Sequence, residues 1–506
     1  MKKIFDLEDL SKIIQNKKKN GKKIVLCHGV FDILHSGHLE HFKKSKSHGD
    51  ILVVTTTSDK HINKGPGKPF FASKIRKNLL SGLSAIDYIS EIDAETAIPA
   101  IKSLKPHFYC KGVDYKKISS DITKNIKLET DEVLKNKGKT IFTNEVTFSS
   151  SKILNNQNLS LNSLQSKEVK QIKKKYSFFD INKIIHKSSK LKILIIGEII
   201  IDQYLFCDPL GKSGKDPIMM FNNIKNSKYI GGSAAIANHL SEFCKEIKVI
   251  STLGEKKEYL SFIKHSLKKN VKLDFLKKRN SPTILKQKYI DQNSGKKIIG
   301  FYNFNDEILD MDSQKKLKNK IKKNIQKYDL VIVSDYGHGM ISDSTAKYIC
   351  SKSKFLFMNS QINASNIGHH TLNKYPNSYC TMVNESELRH EMRDRSTDLN
   401  ILIKKFSKFT KLNYLVVTRG SKGCTFFDKK NNKLFYSQAY ANNVKDKVGS
   451  GDVLMCIMAI ILKVEKNPQL AVFIASIAAG QSVEKFANSE NVKRDFLLKA
   501  LKHLLI

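Results

Sequence analysis

Arginine is scarce in this 506-residue chain: only seven of its 88 basic residues are Arg. Surfaces that read nucleic acid favour the planar guanidinium and interleave aromatic with basic side chains, and no such stripe stands out here. The formal net charge of +40 is therefore read as Lys-rich coding bias plus a solvated surface, with a polyanion-binding role as the lesser alternative. Paired cysteines are missing too. The eight Cys fall singly, with no C-x-x-C, which points away from a zinc site or a disulfide framework and suits a reducing compartment. The longest apolar run, Val453–Leu462, is about half the ~20 residues a bilayer span needs. Acidic residues in M-K-K-I-F-D-L-E-D-L occupy the place of a signal peptide's apolar core. A cytoplasmic protein without a membrane partner is the expectation.

What the chain does have is length for two to four domains at roughly 100–200 residues each, and apolar content of 40% to fill them. The most informative stretch is C-H-G-V-F-D-I-L-H-S-G-H-L-E-H, Cys27–His41. Lys23–Cys27 reads as a buried strand, Gly29 as a tight turn, and His35-Ser36-Gly37-His38 as the start of a helix. Two imidazoles three residues apart share one face of that helix end, where free N–H groups and the dipole favour an anion. Such a phosphate site suits phosphoryl or nucleotidyl transfer.

Helix 36–47 leads into the β-branched run Ile51–Thr57, a parallel strand, completing a β-α-β unit. The basic loop 63–69, with Lys64, and a helix from Ser73 to Leu83 carrying Arg76 follow the second strand, where ligands sit in open α/β sheets. A short strand ends at Lys111-Gly112-Val113-Asp114, and Ser149-Ser150-Ser151 places hydroxyls at a second helix start.

These pieces resemble the cytidylyltransferase-like nucleotidyltransferases. Over about residues 20–155 they are similar, in order, to the adenylyltransferase half of the bifunctional heptose kinase/adenylyltransferases that make ADP-heptose for lipopolysaccharide. The resemblance implies that His35 and His38 act on the nucleoside triphosphate phosphates. It also implies nucleotide or phosphate contacts from Gly29, Phe31, Asp32, Lys64, Arg76, Lys111, Asp114, Ser149, Ser150 and Ser151. Related glycerol-phosphate cytidylyltransferases carry an Arg before the hydroxyl cluster, where this chain has Asn144-Glu145.

Residues 159–189, rich in Asn, Ser and Lys, read as a linker between domains 1–158 and 190–506. Lys192–Gly197 is a buried strand followed by Glu198 and Asp202, and Gly231-Gly232 opens a small-residue helix where backbone can approach a ligand. Thr283–Tyr289 and Lys296–Tyr302 form a hairpin, read as a β lid. Strands at Leu330–Ser334, Lys354–Met358 and Tyr414–Thr418 alternate with helices, which argues for a mostly parallel sheet. In Lys445-Asp446-Lys447-Val448-Gly449-Ser450-Gly451-Asp452, the glycines expose N–H groups before an apolar helix. Asp452 stands ready to take a proton from an attacking hydroxyl.

This segment resembles the D-T-x-G-A-G-D signature of the ribokinase-like sugar kinases, and the similarity runs from about residue 191 to the end. It implies an anion hole at Gly449, Ser450 and Gly451 and a nucleotide turn at Thr418, Gly420 and Gly423. Asn384 and Glu387 would place Mg²⁺ and phosphate, with Glu387 as the metal ligand, and Asp202, Gly231, Gly232 and Asp335 would meet the substrate. Three departures stand out. Ala235 replaces a substrate-binding Asn, Lys447 replaces the signature Thr, and Asn359-Ser360-Gln361 replaces D-P-K. The heptose enzymes also place the kinase first.

The fold class expected is α/β, with two doubly wound parallel-sheet domains, the second bearing a lid. The function expected is a bifunctional kinase and nucleotidyltransferase of sugar-nucleotide synthesis. It would use Mg²⁺ and ATP, with CTP as the alternative nucleotide for the transferase and a monovalent cation as an optional companion. Its partners would be sugar phosphates and nucleoside triphosphates, with no specific nucleic acid, and a homo-oligomer stays open. Heptose 7-phosphate is the favoured kinase substrate. The alternatives are another sugar or polyol phosphate handled with CTP, and a weakened, ligand-sensing kinase module. Because the charge of +40 is dispersed, duplex DNA should bind weakly and nonspecifically and be released by ~0.2 M salt. Sequence-selective binding above that salt, in a filter or anisotropy titration, would reverse this reading.

Overall fold

The computed structural model describes residues 2–62, 69–112, 125–143, 161–363, 365–368, 370–441 and 444–505. The chain divides into two compact units, Met1–Val169 with Asp495–Ile506, and Lys170–Arg494.

In the first unit the apolar runs do form strands: β1 Ile24–Gly29, β2 Ile51–Thr57, β3 Tyr88–Ile92, β4 Phe108–Gly112 and β5 Lys139–Thr143. They make one all-parallel sheet in the order β3-β2-β1-β4-β5. Side chains alternate across β1. Ile24 and Leu26 join a core with Leu10, Ile14 and Ile101, whereas Val25 and Cys27 join one with Phe42, Leu80 and Ile89. Helices therefore cover both faces, as a parallel sheet requires. The order of winding reverses between β1 and β4, so their carboxyl ends open the crevice where ligands bind in such sheets.

The segment expected to link the domains, 159–189, whose weak helical periodicity falls around 164–175 and 180–188, is helical at Ser163–Lys173 and Phe178–Lys187. The second helix opens on a capping box of Ser177 and Asp180 and buries Ile181, Ile184 and Ile185. Its polar composition conceals an apolar stripe at helical spacing, which the second unit covers. The contact division assigns 170–189 to the second unit and 495–506 to the first, where a linker over 159–189 and a domain over 190–506 were expected.

The second unit is built on nine strands in the order β10-β9-β6-β13-β14-β15-β16-β17-β18. These are β6 Lys192–Gly197, β9 Glu246–Gly254, β10 Val271–Lys278, β13 Leu330–Asp335, β14 Leu356–Ser360, β15 Asn377–Asn384, β16 Lys411–Thr418, β17 Cys424–Asp428 and β18 Lys433–Ser437. Pairing is parallel up to β16 and antiparallel beyond it. The helices Ser450–Glu465 and Pro468–Ser482 are buried almost all round, as helices at the centre of a large core must be.

The lid is larger than the expected hairpin. It has four strands in the order β12-β11-β7-β8, namely β7 Ile199–Lys212, β8 Met219–Gly231, β11 Leu285–Asp291 and β12 Lys297–Asn303. β7 escaped notice because its apolar start runs on from β6 with one residue between them, and β8 because it is polar and mostly exposed. No helix among the described residues is long and apolar enough to cross a membrane.

β6 and β13 lie so close that a Cβ on Gly197 would stand 2.1 Å from the Ser334 carbonyl oxygen. Gly197→Ala is expected to destabilise the second unit by roughly 1–3 kcal/mol, the usual cost of forced overpacking. A lower urea midpoint for that unit's unfolding transition would report it.

Candidate functional site

In the first unit the helix Ser36–Lys46 begins at the end of β1, with His35 as its extended N-cap and no side-chain cap. His38 lies one turn on, and the two rings stack with centroids 3.9 Å apart at 21°. Burial pushes His35 below its ordinary value. Phe31 adopts φ +48°, uncommon for a bulky residue, and presents its ring edge-on to His38 at 5.5 Å. Gly29 is what permits this: a Cβ there would meet the Phe31 ring at 2.9 Å. Asp32 accepts from the Phe70 and Phe71 N–H groups at 2.8 and 2.9 Å, pinning the chain that leads into the helix Ser73–Ser81.

Arg76 differs from the expected phosphate contact. It has no exposed surface, and its guanidinium donates to the carbonyls of Val30, Thr57 and Phe71 and to Asp59 Oδ1. Five donors in a rigid fork suit several carbonyls at once, so Arg76 ties together the loops around the crevice. Lys111, ending β4, donates to the His28 carbonyl at 3.2 Å and lies 3.4 Å from Glu129 Oε2. Glu129 also accepts from Ala97 N–H and the Tyr109 hydroxyl, each at 2.8 Å. Burial pushes its carboxyl up, but the Lys111 and His28 neighbours and these bonds win and hold it below its usual range. His28 meets Thr55 at 3.0 Å and Thr57 at 3.3 Å, and burial aided by Lys111 pushes it down to about 3. Sequence reading missed Glu129. Its signal was an acid placed between Ile126 and Val133 on the buried face of the helix Asn125–Lys135. Lys64, Asp114, Ser149, Ser150 and Ser151 lie outside the described residues.

In the second unit, Gly449 is the left-handed N-cap of Ser450–Glu465 with φ +83°, and a Cβ would meet Asn488 Oδ1 at 2.3 Å. Space beside Gly451 is open to 4 Å, and Ser450 Oγ donates back to the Lys447 carbonyl at 2.9 Å. Asp452, in the helix's first turn, accepts from the Tyr336 hydroxyl at 3.1 Å. Burial pushes its carboxyl up to about 7, the Asp202 charge adding to the effect and the Tyr336 bond and Lys286 opposing it. A carboxylate poised near neutrality beside exposed helix N–H groups can take a proton while an anion is held next to it.

Around it, Asp202 in β7 accepts from Lys288 Nζ at 2.7 Å. Gly231 and Gly232 pass so close that Cβ atoms would stand 2.5 Å from Asp202 Oδ2 and 2.3 Å from the Glu198 carbonyl. Asp335 accepts from Lys374 Nζ at 2.8 Å and the Tyr375 hydroxyl at 2.7 Å; burial pushes it up, but Lys374 and His370 with these bonds hold it below its usual range. Asp446, ahead of the glycine loop, is gripped from the lid by Tyr204 and Lys297, each at 2.6 Å.

Asn384 and Glu387 form a reciprocal capping box for the helix Glu385–Met392. Burial pushes Glu387 up to about 7, and the charge of Asp452 adds to it. A cation would relieve both carboxyls, although no group of three or more His, Cys, Asp or Glu converges among the described residues. Thr418 ends β16, and Gly420 and Gly423 take φ +57° and +77° in the turn beyond it. Of the departures, Ala235 is buried, and Asn359 Oδ1 is a buried acceptor with no partner among the described residues. The partners Tyr204, Lys297 and Lys374 were not foreseen; aromatic and Lys residues are too common here to mark a site.

Residues 190–494 match the family model described as pfkB family carbohydrate kinase, and residues 26–156 match the one described as cytidylyltransferase-like. The bifunctional protein HldE of Geobacter metallireducens is 41% identical over 115 residues, 22% of this chain and 24% of the relative. That of Aliarcobacter butzleri is 26% identical over 311 residues, 60% of this chain and 63% of the relative. The chain thus spans from about a quarter to 63% of these relatives' length. Ribokinase of Giardia lamblia is similar at TM-score 0.49 and 17% identity, covering 61% of this chain and 98% of that one. Ribokinase of Arabidopsis thaliana complexed with ribose and ATP is similar at TM-score 0.47 and 18% identity, covering 62% and 99%.

The commitment of Arg76 to three carbonyls yields a stability prediction. Arg76→Lys keeps the charge but loses the fork, leaving buried acceptors unpaired, and should destabilise the first unit by about 2–4 kcal/mol. Thermal unfolding of the variant against wild type measures this.

Proposed function

We propose, for a chain that belongs to the pfkB family of carbohydrate kinases, a bifunctional enzyme of sugar-nucleotide synthesis, with a sugar-phosphate kinase in the second unit and a nucleotidyltransferase in the first. The observation that carries the kinase reading is Asp452, its carboxyl raised to about 7, in the first turn of a helix whose N-cap glycine has φ +83°. In that arrangement Asp452 takes the proton of the acceptor hydroxyl, the freed oxygen attacks the γ-phosphorus of ATP, and ADP leaves. The N–H groups at 449–451 offset charge on the transferred phosphoryl group. Mg²⁺ would be held at Glu387 and would neutralise phosphate charge; Asn384 fixes that side chain through the capping box.

In the first unit the stacked His35 and His38 at the helix N-terminus support attack of a sugar 1-phosphate oxygen on the α-phosphorus of a nucleoside triphosphate, with pyrophosphate leaving. Arg76 and Glu129 would act as positioning residues, the first for the loops and the second for Lys111. Similarity to the bifunctional HldE proteins supports heptose 7-phosphate as kinase substrate, ADP-heptose as final product, and a cytoplasmic setting. Ala235 and Asn359 Oδ1, which has no partner among the described residues, favour a second reading, in which both activities serve another sugar or polyol phosphate, with CTP.

The test incubates purified protein with ATP or CTP and sugar phosphates, heptose 7-phosphate and heptose 1-phosphate included, and measures ADP and pyrophosphate separately. Asp452→Asn should abolish ADP release. Either His35→Ala or His38→Ala should lower pyrophosphate release by at least ~100-fold while sparing ADP. Because a protonated Asp452 cannot accept, ADP release should fall as pH drops below about 7. Wild type without sugar-dependent ADP release on any substrate, or Asp452→Asn with release intact, would sink the kinase assignment.

A further inference from the structure

The loop after β13 carries a buried side chain whose polarity no group among the described residues answers. His338 is 2% exposed, and both ring nitrogens are buried with no hydrogen-bond partner among the described residues. Its backbone, by contrast, is fully used. The N–H donates to Glu198 Oε1 at 3.2 Å, and the carbonyl accepts from Lys278 Nζ at 2.9 Å. Phe304 covers the ring with centroids 4.7 Å apart. Among the described residues the imidazole is therefore held by its main chain and by apolar packing, with neither nitrogen hydrogen-bonded. Burying polar atoms this way costs stability, and native structures seldom keep such groups without a use for them.

The surroundings decide what the ring can offer. Burial, with the ammonium groups of Lys286 and Lys278 nearby, pushes His338 down to about 3. It is neutral at physiological pH, and a neutral imidazole has one N–H donor and one acceptor nitrogen. Its position ties it to the reaction centre. Tyr336, two residues earlier, donates to Asp452 at 3.1 Å, and the charge of Lys286 reaches both Asp452 and His338.

We propose that His338 reads hydroxyl groups of the sugar acceptor, one through its N–H and one through its bare nitrogen, and so helps set which sugar the second unit phosphorylates. This rests on the kinase reading above. A donor and an acceptor side by side suit a polyol, whose hydroxyls both give and receive, better than a phosphate, which at neutral pH chiefly accepts. Discrimination of this kind follows from buried polar groups that only the right ligand satisfies.

The experiment compares wild type with His338→Phe, which keeps the ring against Phe304 but removes both polar atoms, and His338→Asn, which keeps one donor and one acceptor. Acceptor affinity is titrated calorimetrically with heptose 7-phosphate and mannose 6-phosphate, the KM values for acceptor and for ATP are measured by ADP release, and apo unfolding is followed thermally. His338→Phe should weaken acceptor binding by about 10- to 100-fold, leave the KM for ATP unchanged, and leave the apo Tm unchanged or raised. His338→Asn should recover part of the acceptor affinity. Equal acceptor affinity in wild type and His338→Phe would overturn the proposal, as would a clear fall in the apo Tm of His338→Phe, which would show that the imidazole is satisfied within the folded protein. A wild type that releases no ADP with any sugar or polyol phosphate would bring down the kinase reading itself, an outcome distinct from a wild type that works and a variant that matches it.

Discussion

Glu198 sits at the end of β6 with no exposed surface, and its carboxylate accepts the Tyr336 and His338 N–H groups at 3.0 and 3.2 Å. Much of the second unit's site depends on that tie. It draws the loop after β13 toward the end of β6, bringing the Tyr336 hydroxyl to Asp452 and the His338 ring to its buried station. The same residue lets the lid begin, since β7 starts at Ile199 and Gly232 passes against the Glu198 carbonyl. The tie has an electrostatic cost. Burial and the charge of Asp335 push Glu198 up to about 7, while Lys374 and Tyr375 hold Asp335 on the other side. Buried carboxylates at such density persist only when backbone N–H groups and cations are arranged for each of them.

Both units place the amino end of a helix near the carboxyl ends of parallel strands, and the two helix starts are built differently. In the first unit the N-cap is a histidine in extended conformation, and a second histidine stacks on it. In the second it is a glycine in the left-handed region, and the acid follows in the first turn. The contrast follows from the chemistry proposed for each. Nucleotidyl transfer with a phosphate nucleophile calls for charge stabilisation and no strong base, whereas a sugar hydroxyl must lose a proton to attack. Buried ion pairs steady both settings, Lys111 with Glu129 in one and Lys288 with Asp202 in the other.

Local pattern carried the architecture. Apolar β-branched runs such as Ile51–Thr57, the helix start at His35–His38 and the glycines around Asp452 are signals contained within a few consecutive residues, so the α/β class, the parallel sheets and the two helix starts could be read from the amino-acid order. That order also determined which chemistry-bearing residues exist and which departures, at Ala235, Lys447 and Asn359–Gln361, set this chain apart.

Tertiary structure alone decided how those residues are used. Arg76 looked available to phosphate until three carbonyls from separate segments closed on it. The polar stretch before residue 190 looked like a linker until a larger core covered its isoleucines. Glu129 meeting Lys111, Tyr204 and Lys297 meeting Asp446, and the His338 ring meeting no hydrogen-bond partner among the described residues depend on residues tens to hundreds of positions apart. Burial and pairing are properties of the folded whole, because the dielectric around a group and the partners within reach of it are fixed only when distant segments pack.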